Sequence, residues 1–165
     1  MIPKIFKVVV IDDQQADRDL ISHYLMPHLD MQLVAQAATA AEGVAKIITC
    51  SPHLVFLDIR LPDKDGFAML DEIKKIGINE FRVVFYSSSC DNHLKAIKYE
   101  AFDFLQKPLA EKDLVETLDR FRKKFFNLST THAADPELKS PAIDTKKLVM
   151  TPKGRLYIDT KKLMY

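Results

Sequence analysis

The sequence predicts a doubly wound α/β domain, a five-stranded parallel sheet with five helices packed on its two faces. Three observations predict it. Nearly uninterrupted apolar runs at 6–11, 54–57 and 81–86 read as strands covered on both sides. Between them lie segments whose apolar residues recur every three to four positions, as helical faces do. Carboxylates, a hydroxyl and an amine then follow the apolar runs at four of the five expected strands, where an open parallel sheet places its ligand cleft.

Taken in order, Phe6-Lys-Val-Val-Val-Ile11 is the first strand and ends directly on Asp12-Asp13. Ala16, Leu20, Ile21, Tyr24 and Leu25 mark the first helix, closed by Pro27. Residues 31–38 alternate weakly and suit a strand near the sheet edge. Thr39-Ala-Ala-Glu42 has capping-box spacing, and Val44, Ile47 and Ile48 continue as one helical face until Ser51-Pro52. Leu54-Val-Phe-Leu57 leads into Asp58, and Pro62 with Asp65-Gly66 marks a tight loop. Phe67, Leu70, Ile73 and Ile76 set the third helix, with Gly77 as its stop. Phe81–Tyr86 is the fourth strand, ending on Ser87-Ser88-Ser89. Leu94, Ile97 and Ala101 give a fourth helix, and 102–106 a short strand ending on Lys107-Pro108. Leu114, Leu118, Phe121 and Phe125 form the stripe of a long fifth helix. Right-handed crossovers bring every strand's carboxyl end to one rim.

That rim collects Asp12, Asp13, Asp58, Ser87 and Lys107. Adjacent carboxylates repel unless a cation or strong donors lie between them. Three carboxylates without Cys or His make a hard oxygen site, which suits Mg²⁺ and disfavours Zn²⁺. A carboxylate is also a nucleophile in aspartyl-phosphate chemistry. Lys107 would hold a phosphoryl oxygen and the Ser87 hydroxyl would donate to another. A plain salt bridge from Lys107 to a neighbouring acid is the simpler role, and both are compatible.

With 165 residues and 47% hydrophobic side chains, one packed domain with a remainder is expected. The net charge of +1 hides an asymmetry: residues 139–165 sum to +5 and the rest to −4. Cys50 and Cys90 lie in no ligand spacing and are expected as reduced thiols of a cytoplasmic protein. The five histidines are scattered, and no apolar run approaches the ~18–20 residues of a membrane span.

With Asp12-Asp13, Asp58-Ile-Arg-Leu-Pro-Asp-Lys-Asp-Gly66, Ser87 and Lys107-Pro108 in this order, residues 5–126 closely resemble the receiver domain of two-component response regulators. The resemblance implies a flavodoxin-like sheet of order 2-1-3-4-5. It implies that Asp58 accepts a phosphoryl group from a sensor histidine kinase. It further implies that Asp12, Asp13, Asp58 and the Arg60 main-chain carbonyl hold Mg²⁺, and that Ser87 and Lys107 bind the phosphoryl group. Phe104 matches the switch aromatic, here without the hydroxyl of the usual Tyr, so a switch there works by packing. The Lys107–Pro108 bond is implied to be cis. The face made by the fourth helix, fifth strand and fifth helix is implied as a homodimer surface. The Arg60 side chain is expected to tune the lifetime of the phosphorylated form.

The domain division expected is a receiver at 1–126, a linker at 127–141 and the start of a basic β-rich module at 142–165. Leu148–Met150 and Arg155–Ile158 flank Thr151-Pro-Lys-Gly154 as a hairpin signal. This tail resembles the opening of a LytTR-type DNA-binding domain and stops at Tyr165, as a truncated longer regulator would. Its basic excess suits DNA phosphates. The expectation is therefore a transcriptional regulator that performs no turnover beyond its own phosphorylation and dephosphorylation. Its alternatives are a stand-alone or relay receiver, a Mg²⁺-dependent aspartyl phosphohydrolase, and a nucleotide- or flavin-binding module. The phosphohydrolase would need an acid where Arg60 stands, and the nucleotide module lacks a phosphate loop after the first strand.

Overall fold

The computed structural model describes residues 3–131 and the segments 148–150 and 156–158. Strands β1 (Phe6–Ile11), β2 (Met31–Ala37), β3 (Leu54–Leu57), β4 (Arg82–Ser87) and β5 (Asp103–Gln106) alternate with α1 (Gln15–Leu25), α2 (Ala40–Cys50), α3 (Gly66–Ile76), α4 (His93–Lys98) and α5 (Glu111–Thr131). The strands pair in parallel in the order β2-β1-β3-β4-β5, as the receiver resemblance implies.

The two-residue alternation of the central strands divides the core into two layers. Val9, Ile11, Val55, Leu57 and Phe85 pack with Val44 and Ile47 of α2 and with Phe67, Leu70 and Ile73 of α3. Val8, Val10, Leu54, Phe56, Val84 and Tyr86 pack on the other face with Ile21 and Leu25 of α1 and with Leu114, Leu118 and Phe121 of α5. Both faces of β1 and β3 are thus covered, which explains their unbroken apolar runs.

Local signals fix the helix ends nearest the rim. Thr39 accepts a hydrogen bond from the Glu42 amide at 3.1 Å, the first half of the expected capping box, while the Glu42 carboxylate reaches one residue past the N-cap and accepts from the Ala38 amide at 3.0 Å. Asp65 caps α3 by accepting from the Ala68 amide at 2.7 Å. Asp63 accepts from the Ala40 and Ala41 amides at 2.8 and 2.9 Å, which ties the loop after β3 to the start of α2. Gly77 closes α3 at φ +88°, a left-handed conformation that glycine adopts without strain.

Three features differ from expectation. The fourth helix ends at Lys98, before Ala101, and Leu94 is 71% exposed; its buried residues are His93 and Ala96. A helix of less than two turns buries too narrow a stripe for periodicity to mark it. The fifth helix runs to Thr131, so residues 127–131 of the expected linker are helical, while 132–141 lie outside the described residues. Strands β6 (Leu148–Met150) and β7 (Leu156–Ile158) do pair as a hairpin, but β7 also pairs antiparallel with β5, at Asp103 and Phe104, and extends the sheet to seven strands. The edge of β5 offers unpaired backbone groups that such a strand satisfies.

Gly66 is where the fold and the rim meet. A Cβ on this residue would stand 2.7 Å from the Asp58 carbonyl oxygen and 3.3 Å from the Ile59 Cα, both backbone atoms that cannot swing aside. At Gly43 the closest obstacle is the flexible end of Ile11, also at 2.7 Å. Gly66→Ala is therefore expected to lower unfolding free energy by ~1–3 kcal/mol, more than Gly43→Ala, in urea titrations followed by circular dichroism.

Candidate functional site

The sheet itself places the site residues. Its hydrogen-bond ladder runs one residue beyond three strands: the Asp12 amide donates to the Ala37 carbonyl at 3.0 Å, the Asp58 amide to Ile11 at 2.8 Å, and the Lys107 amide to Ser87 at 3.0 Å. Each backbone is thus fixed while its side chain leaves the sheet at the rim.

The structure brings Asp12, Asp13 and Asp58 together, each offering a carboxylate oxygen within 4.8 Å of the others. Asp12 and Asp58 are buried and Asp13 is exposed. The Lys107 ammonium lies 2.7 Å from Asp12 Oδ2 and 3.1 Å from Asp58 Oδ2. Asp58 Oδ1 accepts from the Arg60 amide at 3.1 Å, and Asp12 Oδ1 accepts from the Gln14 amide at 2.8 Å. Ser87, the last residue of β4, is buried, and its Oγ faces the Ser89 amide at 3.4 Å. The Lys107–Pro108 bond is cis.

Phe104 does not join this cluster. Its ring is buried one layer below the rim, edge-on to His93 with centroids 4.1 Å apart. The His93 Nε2 is buried there without a hydrogen-bond partner, and burial holds this imidazole below its ordinary pKa.

Burial dominates the electrostatics. It pushes the Asp12 carboxyl up to about 6, against the opposing pull of Lys107 and the Gln14 amide. Burial also raises Asp58, again opposed by Lys107 and the Arg60 amide. For Lys107 burial alone would favour the neutral amine, but hydrogen bonding to Asp12 and Asp17 and the charge of Asp58 outweigh it and raise its pKa. Sequence reasoning missed Asp17, whose Oδ2 is 2.8 Å from the Lys107 ammonium. The one available signal was its place on the first turn of α1, shortly after Asp12-Asp13, where an acid also suits the helix dipole.

The donor set fits a hard divalent cation. The cluster holds carboxylate oxygens only, and Asp12 Oδ2 is buried with no aligned hydrogen-bond donor besides its ion pair to Lys107.

A doubly wound sheet carrying acids, a hydroxyl and a lysine on its carboxyl rim defines a receiver-type signalling domain. Comparison with known proteins agrees. The chain belongs to the response regulator receiver domain family, whose profile matches residues 8–119. It is 30% identical over 127 residues to the sensory transduction protein LytT of Bacillus cereus, covering 76% of this chain and 51% of LytT. It is 31% identical over 120 residues to the transcriptional regulatory protein BtsR of Escherichia coli K12, covering 72% and 48%. The chain thus spans about half the length of these curated relatives. The receiver domain of AraT from Geobacillus stearothermophilus shares the fold with a TM-score of 0.68 at 21% identity, covering 76% of this chain and 98% of that one. No helix among the described residues is long and apolar enough to cross a membrane.

The raised Asp12 carboxyl has a consequence for stability. Between its ordinary value of 3.8 and about 6 the folded state binds the extra proton, so this group's penalty is full above pH 6 and is relieved as pH falls toward 4. Without divalent cations, Asp12→Asn is expected to melt above wild type at pH 8. The gain should shrink through pH 6 and vanish near pH 4 in paired thermal melts.

Proposed function

We propose that this receiver takes up a phosphoryl group on Asp58 with the help of Mg²⁺ and uses it to switch an attached transcriptional output. The observation that carries the reading is Lys107 held 3.1 Å from an Asp58 carboxylate that stands on the open rim of the sheet. An Asp58 oxygen attacks the phosphorus of a sensor kinase's phosphohistidine, a P–O bond forms, the P–N bond breaks, and the imidazole leaves with its electron pair. Asp12, Asp13, Asp58 and the Arg60 carbonyl would hold Mg²⁺, which supplies neutralisation of phosphoryl charge when bound. Lys107 donates to a phosphoryl oxygen in place of Asp58 Oδ2, and the Ser87 hydroxyl donates to another.

The transfer goes no further than the protein itself. Two residues past Asp58 stands Arg60 instead of an acid, so no general acid–base group favours rapid hydrolysis, and the Arg60 side chain tunes how long the phosphoryl group stays. Movement of Ser87 toward a phosphoryl oxygen is answered below by the packed ring of Phe104, which carries the change to α4 and β5. Similarity to the sensory transduction protein LytT and to a transcriptional regulatory protein supports a DNA-binding output of LytTR type, and the α4–β5–α5 face is the surface proposed for a homodimer, with the β5 edge at Asp103 and Phe104 taken by β7.

Intact-mass analysis after incubation with acetyl phosphate and Mg²⁺ tests this. The expected result is one phosphoryl adduct on wild type, none on Asp58→Asn, and none in excess chelator. No adduct on wild type, or an equal adduct on the variant, would remove Asp58 from its role.

A further inference from the structure

Lys107 has a third acidic partner that the phosphoryl chemistry does not require. Its ammonium carries three protons and meets three carboxylates: Asp12 at 2.7 Å, Asp17 at 2.8 Å and Asp58 at 3.1 Å. Asp12 and Asp58 belong to the carboxylate cluster that suits a cation, and Asp17 does not. Asp17 comes from the first turn of α1, and its two oxygens have separate partners. Oδ2 pairs with Lys107, while Oδ1 accepts from the Tyr86 hydroxyl at 3.2 Å.

Tyr86 makes this more than a surface ion pair. Its side chain is fully buried in the α1 and α5 layer, and it immediately precedes Ser87 on β4. A buried phenol needs a hydrogen-bond acceptor, and Asp17 supplies one. The Lys107 ammonium also lies 4.9 Å from the centre of the Tyr86 ring. Asp17, Tyr86 and Lys107 therefore close a triangle joining α1, β4 and the end of β5. A carboxylate held at both oxygens has one orientation, and so it orients the cation it holds.

We propose that Asp17 is a positioning residue for Lys107, a tether from α1 that keeps the ammonium aimed at Asp58 before and after phosphoryl uptake; this rests on Asp58 being the phosphoacceptor. During uptake the Asp58 contact is exchanged for a phosphoryl oxygen and Asp12 turns to the cation. Asp17 lies outside this exchange, so its contact with Lys107 persists throughout. With it, the ammonium redirects one proton; without it, the whole group reorients.

The test compares wild type, Asp17→Ala, Asp17→Asn and Tyr86→Phe as full chains whose folding is confirmed by thermal melts. Two readouts are taken: the Lys107 ammonium cross-peak in ¹⁵N–¹H spectra, assigned with Lys107→Arg, and the initial rate of adduct formation from acetyl phosphate at saturating Mg²⁺. Asp17→Ala is expected to broaden the cross-peak away and to slow uptake roughly ten- to a hundredfold, the loss of one charge-assisted hydrogen bond. Asp17→Asn keeps an acceptor oxygen, so it should retain the cross-peak and recover most of the rate, with Tyr86→Phe between the two. Both readouts unchanged in Asp17→Ala would overturn the proposal. So would slower uptake with an intact cross-peak, or a lost cross-peak at full rate. If wild type takes no phosphoryl group, the phosphoacceptor reading fails, and a cross-peak surviving in Asp17→Ala would then refute the tether separately.

Discussion

One ammonium among buried carboxylates is the interaction on which this domain's chemistry turns. Among the described residues, Lys107 is the single cation paired within 3.1 Å of Asp12, Asp17 and Asp58. Asp13 adds a fourth acid nearby. Like charges this close cannot all ionise cheaply in a partly buried site; burial first, and the Asp58 charge in a lesser way, raises the Asp12 carboxyl, a deficit that Lys107 only partly offsets. A divalent cation or a proton relieves the same deficit. The cluster therefore favours a hard divalent cation through its own charge imbalance, and the same imbalance keeps Lys107 protonated.

The sheet makes that arrangement possible at low cost in flexibility. Three of the site residues hang from backbone positions already locked by ladder hydrogen bonds, so little conformational entropy remains to be lost when a ligand arrives. Gly66 lets the start of α3 come against the Asp58 carbonyl, and Asp63 fastens the same loop to α2. The loop after β3 is thereby braced from both helices of one layer. From the other layer, Asp17 reaches the site from α1. Both layers of the core thus converge on one rim.

Most of this was legible in the sequence because buried parallel strands leave long apolar runs. Asp12, Asp58, Ser87 and Lys107 stood out as polar residues at the ends of such runs. What stayed hidden depends on side-chain direction across distant elements. Asp17 looks like an ordinary first-turn acid, and Tyr86 looks like one more core aromatic in the fourth run. Their contact spans 69 residues and no local period announces it. The short α4 failed for the opposite reason, since a period was there in Leu94 and Ile97 but it did not mark the buried face. At the fifth helix, the loss of apolar periodicity from Asn127 suggested a linker, although a helix needs no apolar stripe once it has passed the end of the core.

Lys107 offsets the acids, and a divalent cation would share this task. The most direct measurement is the melting temperature of Lys107→Met against wild type at pH 8, with chelator and then with a Mg²⁺ titration. Removing one partner from a buried ionic cluster leaves uncompensated charge. Lys107→Met should therefore melt well below wild type in chelator and gain more from Mg²⁺ than wild type does. A variant as stable as wild type in chelator, with no larger response to Mg²⁺, would contradict the claim.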